Sequence, residues 1–359
     1  MRIVQILPTL GYGDAIGNEA LAIDAYLKHR GIPTMIYARN IDMRVDPSLV
    51  CTADQYTDDK STVILYHFST GDELNTVIKS YKAEIILRYH NVTPPKFWIG
   101  YSEVNRKLSE TGLAEIKALK DTPILCITDS DFNQRDLKSY GFTCPMHTVP
   151  ILMDFKELGK EVHAKLPFDD NKTNIAFFGR IAPNKKQEDL ITSFYYYKKY
   201  KNPSSRLILV GSYNEEDVYY RKLVKYIDEL ELKDVILTGH IPFETLLAYY
   251  HKADLLLCLS EHEGFCVPLV EAMYFKLPII AYDSTAVGET LGKGGLLLKE
   301  KKPQLVAEAI DYVMTNDEVR NQLIEAGSKQ LEQYRFEKTE QKFAEILDPF
   351  ITDNNNVLL

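Results

Sequence analysis

The sequence predicts an α/β protein of two domains, each built around a parallel sheet. Three observations carry that expectation. At 359 residues the chain is longer than one ordinary domain. Short, wholly apolar runs alternate with amphipathic helical stretches along its length, which is the pattern of βαβ units. Near residues 150–172 a stretch mixing Pro with charged and polar residues breaks the alternation, and a new apolar run then opens.

The first half offers the strands RIVQILP (2–8), PTMIYA (33–38), STVILYHF (61–68), AEIILRYH (83–90) and PILCIT (123–128). NIAFFGR (174–180), RLILVG (206–211), DVILTG (234–239), DLLLCLS (254–260) and LPIIAYD (277–283) follow in the second. Runs without a polar face suit strands buried on both sides. Between them NEALAIDAYLKHRG (18–31) reads as a helix closed by Gly31, and QEDLITSFYYYKKY (187–200) as another. Residues 1–160 are expected to form one Rossmann-like domain and 165–336 a second. A polar stretch, DNNN at 353–356, reads as tail.

A hydrophobic fraction of 45% and a charged fraction of 26% are ordinary for a soluble globular protein. The net charge of −9 argues against a nucleic-acid partner recognised by phosphate neutralisation. No apolar run has the length of a membrane span. The opening MRIVQILPTLGYGD meets Gly and Asp too early for a signal peptide. The cysteines, at 51, 126, 144, 258 and 266, are odd in number and include no CxxC pair. A reduced cytoplasmic setting is expected, without a disulfide framework or a zinc site.

SEHEGFCVPLVEAM (260–273) sets Glu263 and Glu271 eight positions apart across a Gly loop. The run before it is a buried strand, and Pro268 suits the first position of a helix. One glutamate then lies in the loop and the other one turn into the helix, at the carboxyl end of a sheet where ligands collect. In FFGRIAPNKKQEDLI (177–191), Arg180 and Lys185 flank a Pro-Asn turn just before a helix, an arrangement suited to a diphosphate. The alternative is two solvated cations at a strand end.

GYGDAIGNEAL (11–21) is either a loose dinucleotide fingerprint or a plain tight turn. His90, ahead of Pro94-Pro95, and His67 with Ser69 stand near strand ends, where a lone histidine is more often structural. TDSDFN (128–133) reads as a helix start capped by Ser130 or Asp131 rather than as a metal-binding carboxylate pair. Gly288 and Glu289 follow the strand LPIIAYD. PPKFWIGY (94–101) reads either as an exposed contact for a membrane or acceptor or as a buried turn.

Taken together, the Gly loop, the histidine, Arg-x4-Lys, Glu-x7-Glu and the Gly-Glu step resemble the family-4, group 1 glycosyltransferases. These are retaining enzymes, glycogen-synthase-like and mannosyltransferase-like, of GT-B fold. The resemblance runs from the first strand to YRFEKTEQKFAEIL (334–347). It implies two Rossmann-like domains facing across a deep cleft, with a last helix (337–352) packing back on the N-terminal domain. It gives Arg180 and Lys185 the donor diphosphate, Glu263 the sugar hydroxyls and Glu271 the ribose. Gly264, Phe265, Cys266 and Val267 would bring backbone N–H groups to sugar and phosphate. Gly13, Asp14 and Glu289 match further donor-site positions, and His90 matches a histidine that reaches the transferred sugar. Cys266 stands where a glycine is common, and VGET replaces a frequent G-x-P-E.

The implied activity is metal-independent, cofactor-free hexosyl transfer from a nucleoside diphosphate sugar, GDP-mannose being preferred to UDP-hexoses. The acceptor would be a hydroxyl on a glycan or lipid-linked precursor of a surface polysaccharide or glycolipid. Peripheral contact with the inner face of the membrane is part of that expectation. Two rivals are an NAD(P)-dependent oxidoreductase, using the Gly loop with Arg39 on a 2′-phosphate, and a catalytically silent binding subunit of the same fold.

Overall fold

The computed structural model describes residues 2–352, and the 353–356 stretch lies outside the described residues. The chain divides into two compact units. One takes the residues up to Pro95, Val104–Phe155 and the chain from Tyr334 onward; the other takes Lys96–Glu103 and Lys156–Gln333.

In chain order the first unit runs β1 (Arg2–Leu10), α1 (Ala15–His29), β2 (Thr34–Ile41), β3 (Val50–Thr52) and β4 (Thr62–Phe68). It continues through α2 (Leu74–Val77), β5 (Glu84–Tyr89), α3 (Glu103–Ala118), β6 (Leu125–Thr128), α4 (Asp131–Ser139) and β7 (Met146–Thr148). The strands pair in parallel in the order β3-β2-β1-β4-β5-β6-β7. Alternate residues leave opposite faces of a strand. Accordingly Ile3, Val63, Leu65 and Ile86 join one core cluster, while Val4, Ile64, Tyr66 and Leu87 join another.

A single turn, α5 (Phe155–Leu158), precedes the second sheet. There β8 (Thr173–Phe178), α6 (Gln187–Tyr200), β9 (Ser205–Val210), α7 (Val218–Glu229), β10 (Val235–Leu237), α8 (Phe243–Lys252) and β11 (Leu255–Cys258) come first. Next are α9 (Val267–Tyr274), β12 (Ile279–Tyr282), α10 (Val287–Leu291), β13 (Leu296–Leu298), α11 (Pro303–Thr315) and α12 (Asp317–Leu331). All six strands are parallel, in the order β10-β9-β8-β11-β12-β13. The final helix, α13 (Phe336–Thr352), belongs to the first unit, where Phe343, Ile346 and Leu347 pack with Ile3, Val63 and Leu65.

The sheets therefore have the predicted α/β character, with local differences. β3, β7 and β13 are edge strands of three residues, too short for their sequences to announce them. Pro268 occupies the second position of α9 rather than the first, because Val267 already has helical geometry. Gly31 ends α1 with a left-handed φ of 70°, as its place after the helix suggests. In PPKFWIGY the side chains of Phe97 and Trp98 are buried, and Ile99 is exposed. No helix among the described residues is long and apolar enough to cross a membrane.

Each strand order reverses once, between β1 and β4 and between β8 and β11. Loops leaving neighbouring strands at such a point diverge to opposite faces, and the crevice between them is where open α/β sheets hold ligands.

Candidate functional site

The reversal in the second unit brings the loops after β8 and β11 together. Arg180 leaves β8 exposed, and among the described residues it forms no ion pair. The chain then tightens into a short 3-10 turn, Pro183–Lys185, and enters α6 through Lys186, whose backbone is left-handed. Buried Asn184 staples the two loops: its side chain donates to the His262 carbonyl at 3.0 Å, and its own carbonyl accepts from Glu261 N at 2.8 Å. Gln187 steadies the arm from beneath by donating to the Arg180 carbonyl at 3.1 Å.

Lys185 donates its ammonium to the buried carboxylate of Glu263. Burial pulls the Lys185 pKa down, but Glu263 beside it outweighs that and holds it above the ordinary lysine value. The Glu263 backbone N–H is fixed to Thr285 Oγ1 at 2.8 Å, and Thr290 Oγ1 donates to the Phe265 carbonyl at 2.5 Å, which ties in the loop after β12. Gly264 is half-buried, Phe265 and Cys266 are buried, and Val267 begins α9. Cys266 has φ of 78°, a left-handed geometry that favours glycine, and no side chain caps the helix it precedes.

Glu271 lies one turn into α9 and accepts from Tyr250 Oη at 2.5 Å. The Tyr250 ring is stacked on Phe178 at 3.7 Å and on Phe275 at 4.7 Å, so the phenol is held rigidly. Burial raises the Glu271 pKa, and the bond from Tyr250 offsets part of that rise. His262 is buried, and burial together with the charges of Lys185 and Lys96 pushes its pKa down to about 4. Glu289 is half-buried in the first turn of α10. Arg180, Lys185, Glu263, Glu271 and the backbone of 264–267 thus all come from one unit. Sequence reading missed Asn184, Tyr250 and Thr285 as their supports, because no local pattern links residues so far apart in the chain.

In the first unit, Asp14 caps α1 by accepting from Gly17 N at 2.6 Å, and Gly13 has φ of 75°. A Cβ at Gly11 would lie 2.1 Å from Asp14 Oδ2, so a side chain there would displace the capping carboxylate. His90 is buried in a polar chain. Its Nδ1 faces Asp129 Oδ2 at 3.0 Å, and its Nε2 meets His67 Nδ1 at 2.9 Å. His67 Nε2 meets Gln5 Oε1 at 3.0 Å, while the Gln5 amide N donates to the Ala20 carbonyl at 2.8 Å.

Those bonds place the His67 proton on Nε2 and make its Nδ1 the acceptor of His90 Nε2–H. Burial, followed by the charges of His90 and Arg88, holds the His67 pKa well down. Arg88, also buried, bonds Glu19 at 2.5 Å and approaches Asp129 Oδ1 at 2.9 Å in an ion pair too poorly aligned to be a hydrogen bond. The reading of TDSDFN is thereby corrected in part. Ser130 is the cap of α4, but Asp129 is a buried partner of His90 and Arg88 rather than a cap-region residue. Arg39, which the oxidoreductase reading set on a 2′-phosphate, instead pairs with Asp72 and Glu73 at the surface.

Residues 160–330 match the family model described as glycosyl transferases group 1. An uncharacterised glycosyltransferase of Methanocaldococcus jannaschii is 26% identical over 180 residues, 49% of this chain and 48% of the relative. The O-antigen chain mannosyltransferase RfbU of Salmonella typhimurium is 36% identical over 107 residues, 30% of each chain. The first of these matches spans about half the length of the curated relative, and the second less. Among solved structures, sucrose-phosphate synthase from Thermosynechococcus elongatus superposes with a TM-score of 0.75 at 16% identity, covering 98% of this chain and 100% of that one. The fold class is that of the two-domain GT-B proteins.

Proposed function

We propose that a chain whose residues 160–330 match the group 1 glycosyl transferases is itself a glycosyltransferase, moving a hexose from a nucleoside diphosphate sugar to a hydroxyl acceptor. The observation that carries this reading is the Arg180–Lys185–Glu263 arrangement at the β8/β11 reversal. An exposed cation without an ion pair among the described residues and a lysine poised on a carboxylate come from the two loops at the reversal, where a ligand with both phosphate and hydroxyl groups would be held. Arg180 and Lys185 take the diphosphate, Glu263 the sugar hydroxyls and Glu271 the ribose.

In the proposed mechanism transfer retains configuration at the sugar carbon. The departing diphosphate accepts the proton of the incoming hydroxyl on the same face, and the two cations stabilise its growing charge. Side chains and helix N–H groups carry the phosphate charge, so no metal is assigned to the step. Resemblance to a mannosyltransferase over the shared segment favours GDP-mannose as donor and a polysaccharide or glycolipid precursor as acceptor. The test is a thermal-shift panel of nucleoside diphosphates and their sugars in EDTA, followed by transfer assays with the best donor. A ligand at 100 times its Kd stabilises by about 2.7 kcal/mol. Silence across the whole panel, or a response only when Mg²⁺ is restored, would remove the reading.

A further inference from the structure

Beside Glu263 the same loop holds two thiols that sugar transfer does not use. Cys258 ends β11 and Cys266 precedes α9, eight positions apart, so no CxxC spacing announces them. The fold brings their Sγ atoms to 4.0 Å, and a Glu263 carboxylate oxygen lies within 4.8 Å of both. Zinc takes Cys sulfur at about 2.3 Å and carboxylate oxygen at about 2.0–2.2 Å, so tetrahedral neighbours sit about 3.5–3.8 Å apart. Small side-chain rotations close the observed triangle to that size. Cys266 also keeps a side chain at a left-handed position where glycine would be unstrained.

We propose that Cys258, Glu263 and Cys266 form a three-ligand site for a thiophilic divalent cation, zinc above all, and that filling it takes Glu263 away from the donor sugar. The two thiols lose their protons to water as the metal–sulfur bonds form, and the fourth position is left to water. The Lys185 ammonium must give up Glu263 to the cation, so one event unmakes both a sugar contact and the Lys185 ion pair. The metal site stands on the three ligands alone. Blockade of transfer rests in addition on the reading of Glu263 as a sugar ligand.

The experiment separates the two. The full chain, reduced with a phosphine and stripped of metals, is titrated with cadmium and followed by the ultraviolet absorption of cadmium–thiolate bonds. Cys258→Ala and Cys258→Ser, which leave the donor-binding residues in place, should bind at least about tenfold more weakly, as loss of a metal contact generally entails. Signal from the Cys126–Cys144 pair, whose sulfurs lie 3.4 Å apart, is removed by adding Cys126→Ser to every protein compared. Equal titrations of wild type and both Cys258 variants would overturn the site.

Zinc should inhibit transfer competitively with the sugar nucleotide, EDTA should restore it, and both Cys258 variants should keep basal turnover while losing the inhibition. Cadmium binding that depends on Cys258, with zinc-insensitive transfer, would overturn the blockade and the sugar role of Glu263 together. Absence of turnover with any donor would count against the proposed function, while the cadmium titration would still decide the site.

Discussion

Lys185 and Glu263 neutralise each other, whereas Arg180 forms no ion pair among the described residues. Their substitutions should therefore differ in kind. Arg180→Ala is expected to slow transfer by the worth of a charge-assisted bond to phosphate, about 1.5–3 kcal/mol, with an unchanged melting temperature. Lys185→Ala should show a similar kinetic loss and also destabilise by about 1–3 kcal/mol, because Glu263 is left buried without its cation. Parallel kinetics and melts decide it, and equal stabilities would mean that the ion pair is idle. The glutamates should separate as well. Glu263→Gln should depress transfer while nucleoside diphosphate still binds, and Glu271→Gln, which also weakens the anchor of Tyr250, should loosen donor and free nucleotide alike. Calorimetry giving the same losses for both variants on both ligands would erase that division. Cys266 was visible in the sequence as a departure where glycine is common; the left-handed φ supplies the reason glycine suits the position.

At the level of strands and loops, register explains what local pattern concealed. DLLLCLS announces β11 because a strand buried on both faces has no polar position, but MHT at a sheet edge carries no such run and LLL is too short to announce a strand. Asp129 was hidden because Asp-Ser-Asp reads equally well as a helix cap. Only the β5–β6 register, with Tyr89 opposite Thr128, sets His90 beside it. His90→Ala is accordingly expected to cost about 1–3 kcal/mol of stability by leaving Asp129 without its ring partner while Arg88 still pairs with it, in addition to at least about tenfold in transfer. Chemical denaturation and kinetics on one preparation test both, and a variant unchanged in each would return His90 to a passive role. In the second unit the loop after β11 should respond to acid. His262 is buried neutral with its pKa near 4, whereas the unfolded chain takes up that proton near 6.5. Its contribution is whole above about pH 6.5 and should fade by an amount on the order of 3 kcal/mol as the pH falls to about 4. Melts across that window should flatten in His262→Gln; an identical slope would assign the acid response to other groups.

Over the whole chain the alternation of apolar runs and helices made the α/β class legible, since parallel sheets are built no other way. Which chain segments share a core was less so. Lys96–Glu103 joins the second unit from between β5 and α3, and no feature of PPKFWIGY signals that attachment. In the other direction α13 supplies Phe343 to the first core, where its ring lies 5.5 Å from the Arg88 guanidinium. Phe343→Ala is expected to destabilise by about 3–5 kcal/mol while leaving nucleoside diphosphate affinity intact, because Arg180, Lys185 and Glu271, which are assigned the diphosphate and the ribose, all lie in the second unit. Denaturation with isothermal calorimetry checks this, and a matching loss of affinity would contradict it. The route of α13 also sets a timetable for the nascent chain. A ribosome adding about 5–20 residues per second must make the entire second unit before the helix that covers Ile3, Val63 and Leu65 emerges. For an interval on the order of ten seconds or more, that core lacks the cover of Phe343, Ile346 and Leu347, although α1 already packs on it, and the remaining apolar patch is a natural landing place for a chaperone. A message cut short after α12 would leave a product lacking that cover, one that cellular quality control should recognise by the exposed apolar patch rather than by any fault in the donor loops.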